Sequence, residues 1–193
     1  MNSKTKSKVI YIVLALVFVV LIAVSVISYN FLSEKFSSEN TEQSQEHSEN
    51  NTVSAPEFTV LDAQGSQVKL SDFTGKPVII NFWATWCGPC KSELGAFDNM
   101  YRKYGDDVEF MMVNLTDGYR ETVQGVSEFV SENKYGFPVY FDTESSGAYA
   151  YSVYSIPFTV MVDANGNVFN AHTGAMSEQT LEKYIVSLLE TVE

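Results

Sequence analysis

Hydrophobic and polar positions divide the chain into three regimes. Residues 9–27 (VIYIVLALVFVVLIAVSVI) are an apolar run without a charge, residues 33–54 are almost entirely Ser, Glu, Asn, Gln and Thr, and from Ala55 onward apolar and polar positions are patterned. As a helix the first run would rise about 28 Å, enough to cross a bilayer. A cleaved signal peptide would carry a shorter apolar region and an A-x-A-like site, which is missing here. The polar stretch has only Phe36 and Val53 to bury and reads as a disordered tether. As a flexible coil its reach is roughly 25 Å. The expected division is a tail over 1–8, an anchor over 9–30, a tether over 31–54 and a folded domain over 55–193.

Within that domain, Glu57 to Leu61 and Gln67 to Leu70 read as two strands joined through a Gly-bearing turn at Asp62-Ala63-Gln64-Gly65. Pro77 to Ala84 is a nearly continuous β-branched and aromatic run, the pattern of a strand covered on both faces. The helical pattern that follows sets Leu94, Phe97, Met100, Tyr101 and Tyr104 on one face. Val108 to Val113 reads as a strand, Glu121 to Asn133 as a helix, and Phe137 to Phe141 as a short extended piece. Phe158 to Val162 and Asn167 to Ala171 form a hairpin around Asp163-Ala164-Asn165-Gly166. A last helix carries Leu181, Tyr184, Ile185, Leu188, Leu189 and Val192 behind the N-cap Ser177. Strands alternating with helices predict a mixed α/β sheet with helices on both faces.

Charge narrows the function. The 193 residues hold 12 Lys plus Arg against 24 Asp plus Glu, a net charge of −12, which excludes nucleic acid as a partner. Lys4, Lys6 and Lys8 precede the apolar run and the segment after it is acidic, so the positive-inside rule puts the N-terminus in the cytoplasm and the folded domain outside. Without those three lysines the remainder has 9 basic and 24 acidic side chains, a net −15.

Two cysteines cannot staple a scaffold, and their placement points to chemistry. Trp86-Cys87-Gly88-Pro89-Cys90 lies where the buried strand passes into a helix. At a helix N-terminus the orphan amides and the dipole favour an anion, and so a Cys87 thiolate. Lowering a thiol pKa from about 8.5 to about 7 raises the ionised fraction at neutral pH from roughly 3% to one half. Cys90 follows one turn later, within reach to displace a substrate from a mixed disulfide. Pro89 suits the first turn, where a missing N–H breaks no helical bond. A zinc site would need four ligands, and His172 and the tether residue His47 are the only other candidates, so neither a metal nor another cofactor is expected.

Phe82-Trp83-Ala84-Thr85-Trp86-Cys87-Gly88-Pro89-Cys90 resembles the active-site segment of the thioredoxin superfamily. Ser155-Ile156-Pro157-Phe158-Thr159 is similar to its cis-proline loop, and Thr173-Gly174-Ala175 to its last substrate-groove loop. About 40 residues separate Val113 from Pro157, which resembles the insert of the membrane-anchored TlpA/ResA branch. The resemblance implies a thioredoxin-like mixed sheet flanked by helices, with an N-terminal hairpin and a central insert, preceded by one transmembrane helix. It implies Cys87 as nucleophile, Cys90 as resolving thiol and Pro157 as the cis residue beside them. Trp86, Gly88, Pro89, Ile156 and Gly174 would then line the substrate groove, with the Ile156 backbone pairing to an extended peptide. Trp83, inside the central strand, is expected in the core.

Two departures from the superfamily pattern bear on mechanism. Asn81 stands where thioredoxins carry a buried aspartate, and Asn cannot take a proton from Cys90. Cys90-Lys91-Ser92-Glu93 matches the ResA-like pattern with a glutamate beneath the dithiol, the alternative being a solvated helix-face carboxylate. Gly95 replaces a helix-kinking proline, which predicts a straighter or more mobile helix around Glu93. The expected function is an extracytoplasmic, membrane-tethered, monomeric thiol-disulfide oxidoreductase. It would reduce oxidised extracytoplasmic proteins and be recharged by a membrane thiol donor of the CcdA or DsbD type. An oxidase or isomerase has the same fold with opposite electron flow, and a copper-binding thiol chaperone lacks a nearby third ligand. Gly88-Pro89 is the thioredoxin dipeptide, without the histidine that strongly oxidising relatives place there, so the expected potential is about −230 to −280 mV.

Overall fold

The computed structural model describes residues 52–192 together with Leu21 and Ile22, which are helical. The expected anchor over 9–30, apart from those two residues, and nearly all of the tether lie outside the described residues. Among the described residues no helix is long and apolar enough to cross a membrane.

Residues 52–193 form one compact unit. Its strands are β1 (Thr59–Leu61), β2 (Gln67–Lys69), β3 (Val78–Trp83), β4 (Glu109–Asn114), β5 (Val139–Phe141), β6 (Phe158–Val162) and β7 (Val168–Thr173). Its α-helices are α1 (Gly88–Tyr104), α2 (Val123–Glu132), α3 (Ser146–Ala150) and α4 (Glu178–Leu189), and a 3-10 turn follows β2 at Leu70–Phe73. The strands make a single sheet in the order β2-β1-β5-β4-β3-β6-β7. β3 runs parallel to β4 and antiparallel to β6, the mixed arrangement that alternating strands and helices predict. The N-terminal hairpin pairs Val60 with Val68 and adds to the sheet through Leu61 opposite Phe141.

β3 is buried along its whole length, because successive side chains enter different cores. Ile79 and Trp83 pack with Leu94, Phe97, Val126, Leu181 and Leu188 beneath α1, α2 and α4. Val78, Ile80 and Phe82 face the opposite side, against Phe58, Leu70, Tyr151 and Val153. The second face is therefore covered by the 3-10 turn, the segment before β1 and the short α3.

The N-cap Ser177 accepts the amide of Thr180 at 3.1 Å, as the sequence predicts. α2 begins two residues later than the pattern suggests. Thr122 is its N-cap, accepting from the Gly125 amide, and Glu121 is not helical but turns its buried side chain inward. α3 has no counterpart among the predicted elements. It is held by Asp142, whose carboxylate accepts the amides of Gly147 and Ala148 at 3.1 and 2.8 Å. The change in composition at Ala55 falls just inside the folded unit, since Ser54 bridges to Asn167 and the Val168 amide donates to the Val53 carbonyl at 2.7 Å.

Candidate active site

The carboxyl ends of the parallel strands β3 and β4 and the start of β6 meet at one end of the sheet, the position where open α/β sheets present their sites. β3 runs into Ala84-Thr85-Trp86, and Cys87 is the N-cap of α1 with Gly88 and Pro89 in its first turn. Cys87 and Cys90 are joined in a disulfide with an S–S distance of 2.04 Å. The Cys90 amide donates to Cys87 Sγ at 3.1 Å, so a helix-terminal N–H is aimed at the sulfur expected to carry charge once reduced. Cys90 is fully buried and Cys87 is 5% exposed. Of the two, Cys87 alone retains exposed surface.

The peptide bond between Ile156 and Pro157 is cis. The Ile156 carbonyl oxygen lies 3.7 Å from Cys87 Sγ. The loop after β7 closes on the same place, where the Gly174 amide donates to the Pro157 carbonyl at 2.8 Å. Gly174 has φ +98°, a conformation that a residue with a Cβ adopts only under strain. Trp86 is 43% exposed beside the dithiol, while Trp83 is fully buried, as its place inside β3 predicts. Cys87, Gly88, Pro89, Ile156, Pro157 and Gly174 thus come together from three segments.

Glu93 is 1% exposed, which excludes the solvated helix-face alternative. α1 continues unbroken through Gly95, and Glu93 lies one turn beyond Cys90 on its buried face. Its Oε1 accepts from Asn81 Nδ2 at 3.0 Å and its Oε2 from the Met176 amide at 2.7 Å. Burial pushes the carboxyl from its ordinary 4.5 up to about 7, with the Met176 and Asn81 donors pulling partly back. Asn81 Nδ2 also donates to Thr159 Oγ1 at 2.9 Å, and its Oδ1 is buried without a partner. A carboxyl that changes charge near neutrality is therefore buried one helical turn from Cys90.

These features match known proteins. The sequence profile of the AhpC/TSA family fits residues 52–171. The chain belongs to the AhpC/TSA family. Thiol-disulfide oxidoreductase ResA of Bacillus subtilis (strain 168) is 36% identical over 132 residues, covering 68% of this chain and 72% of that protein. ResA of Geobacillus kaustophilus (strain HTA426) is 34% identical over 135 residues, 69% of this chain and 75% of that one. The crystal structure of a thiol:disulfide interchange protein DsbE from Chlorobium tepidum superposes with a TM-score of 0.64 at 31% identity, over 72% of this chain and 98% of that chain. This AhpC/TSA-family protein is a thiol-disulfide oxidoreductase of the ResA/DsbE type on a thioredoxin-like fold.

Three residues of the family member's site were not singled out by the sequence. Glu121, 1% exposed, accepts the Thr85 amide at 2.6 Å, the Thr85 hydroxyl at 2.7 Å and Asn114 Nδ2 at 2.7 Å, bracing the turn that carries Trp86 and Cys87. Arg120 lies with Cζ 4.0 Å from the Trp86 ring centroid. Thr159 is fully buried at the head of β6 and supports Asn81. No local pattern marks them. Their contacts with Thr85, Trp86 and Asn81 span 34 to 78 positions, and for Arg120 and Glu121 the one available signal is the mostly polar stretch Thr116 to Thr122, one residue beyond a buried strand.

Proposed function

We propose that this oxidoreductase is held at the cell membrane by residues 9–30 with its catalytic domain outside, and that it reduces disulfides of extracytoplasmic proteins. The reading of the site is carried by one observation: Cys87, the one of the two cysteines with exposed surface, is an N-cap receiving an amide, while Cys90 is fully buried one helical turn before the buried Glu93. In the reduced protein the Cys87 thiolate attacks one sulfur of a substrate disulfide, forming a mixed disulfide and expelling the other sulfur as a thiolate. Cys90 then passes its proton to Glu93 and attacks Cys87 Sγ. The second substrate sulfur leaves, and the protein is left with its Cys87–Cys90 disulfide. Two electrons have passed to the substrate.

Ile156, Pro157 and Gly174 form the groove, with the Ile156 backbone pairing to an extended substrate and Trp86 as a wall. Gly88 and Pro89, both exposed, set no bulky or charged side chain beside Cys87. Recharging requires a thiol donor on the outer side, for which a membrane protein of the CcdA or DsbD type is suited, and the domain works as a monomer. Cytoplasmic Lys4, Lys6 and Lys8 and the outward acidic charge support this orientation.

Equilibration of the purified full chain in detergent against a dithiothreitol or glutathione series tests the direction of electron flow. The expected potential is about −230 to −280 mV, near the thioredoxin reference of about −270 mV. A value more positive than about −180 mV overturns the reductase reading in favour of an oxidase or isomerase.

A further inference from the structure

The loop between β4 and α2 is built around two carboxylates. Asp117 Oδ1 accepts the amides of Tyr119, Arg120 and Glu121 at 2.8, 2.7 and 2.9 Å, and the Gly118 amide returns to the Glu121 carbonyl at 3.0 Å. Glu121 then fastens the loop to Thr85, the residue before Trp86, through both the amide and the hydroxyl. The loop and the active-site turn are thus one hydrogen-bonded piece. Arg120 is presented from it over the exposed Trp86 ring, with Cζ 4.0 Å from the centroid, inside the roughly 6 Å range of a cation–π contact. Stacking uses the flat face of a guanidinium and leaves its edge of N–H donors for another partner. Among the described residues no carboxylate lies within ion-pair distance of Arg120 and none of its side-chain donors makes a hydrogen bond.

In a chain with twice as many acidic as basic side chains, a cation positioned at the mouth of the dithiol, which among the described residues feels the Asp117 carboxylate of its own loop without an ion pair to it, is a selective feature. We propose that Arg120 is a specificity-determining residue, which favours substrate disulfides whose attacked cysteine is flanked by an Asp or Glu side chain, the carboxylate taking the edge of the guanidinium while Trp86 holds its face. The inference rests on the reading that Cys87 attacks a protein disulfide, and it does not depend on the direction of net electron flow. The pairing makes and breaks no covalent bond. It raises the lifetime of the encounter that precedes attack.

The test uses the full chain in detergent, reduced and freed of reductant, reacting with three disulfide-linked peptide dimers that differ only in the residue before cysteine: Asp, Ser or Lys. The ratio of second-order rate constants for the Asp and Lys peptides is measured in the wild type, Arg120→Glu, Arg120→Lys and Lys69→Glu. The last makes the same change of net charge on the edge strand β2. Expected is a drop of the Asp/Lys ratio by about tenfold in Arg120→Glu, a smaller drop in Arg120→Lys, which keeps the charge but loses the stacked fork of donors, little change in Lys69→Glu, and loss of the preference in high salt. The Ser peptide reports any effect of a substitution on the dithiol itself, and the Asp/Lys ratio cancels that effect. An equal ratio in the wild type and Arg120→Glu, including one left by equal losses with all three peptides, or an equal drop in Lys69→Glu, overturns the proposal. Failure of the wild type to react with any peptide would instead overturn the reading on which the inference rests.

Discussion

Replacing Glu93 by Gln removes a titrating group while keeping the shape of the side chain. A carboxyl raised from 4.5 to about 7 binds its proton more tightly in the folded than in the unfolded protein. Its contribution is complete below pH 4.5 and is lost as pH rises through about 7, because between those values the folded state holds a proton that the unfolded state has released. At 1.36 kcal/mol per pKa unit the loss amounts to about 3 kcal/mol. The substituted amide does not titrate, so the stability difference, Glu93→Gln minus wild type, should climb by about 3 kcal/mol between pH 4.5 and 7.5 and then level off. Two N–H groups aim at the carboxyl in the oxidised protein, from Asn81 and Met176, and a Gln amide can accept only one of them without a donor facing a donor. Turning the Asn81 amide brings its unpartnered Oδ1 to the Gln amide, which keeps the variant folded. Urea melts of residues 52–193, oxidised, at half-unit pH steps measure the difference, in which all other titrations cancel. The same variant should resolve the mixed disulfide about a hundredfold more slowly in stopped-flow at pH 7.5, the lower end for a lost general base, and should lose the rate inflection near pH 7. A flat difference curve from pH 5 to 8 would refute the buried-carboxyl argument. An unchanged resolution rate would refute the role of Glu93 as acceptor of the Cys90 proton.

Cys90→Ser should accumulate substrates bound covalently through Cys87, detected as thiol-sensitive adducts on non-reducing gels, and Cys87→Ser should trap none. The reverse pattern would exchange the roles of the two sulfurs. Gly147→Ala should destabilise the domain by about 1–3 kcal/mol, because an added Cβ would stand 2.9 Å from Phe58 Cδ2 and 3.0 Å from Phe82 Cε1 in the second core. Thermal unfolding checks this, and an unshifted midpoint would mean that the two rings move aside freely.

What could be read from the sequence was whatever rested on short-range order. The continuous run of Val78 to Trp83 admits hardly anything but a strand covered on both faces, and it is buried throughout. The dithiol at its end needs only that strand and the helix after it. Pro157 required the resemblance, since nothing in the residues around a proline specifies the cis isomer. α3 escaped because five residues, Ser146 to Ala150, are too few to show a helical period, and the small side chains that let it lie on Phe58 and Phe82 give no apolar signal. Glu121 escaped for a different reason. Its partner Thr85 is 36 positions away, and a lone acidic residue before Val123 looks like the first turn of a helix until the long-range bonds are known.

Glu93 joins both kinds of information. Its place one turn beyond Cys90 follows from helical spacing, but whether it is buried depends on segments that converge from elsewhere. Asn81 comes from β3, Thr159 from the strand begun by the cis proline, and the Met176 amide from just beyond Gly174. The segments that carry Pro157 and Gly174 therefore also enclose the carboxyl. Asn81 is then more than the loss of an aspartate. An aspartate there would put two carboxyls about 3 Å apart, and like charges at that distance cannot both ionise. As an amide, Asn81 instead donates to Glu93 and moderates the effect of burial. With an amide on the strand and a carboxyl on the helix, a group titrating near neutrality lies one turn beyond Cys90 without a second carboxyl at Asn81 to compete with it.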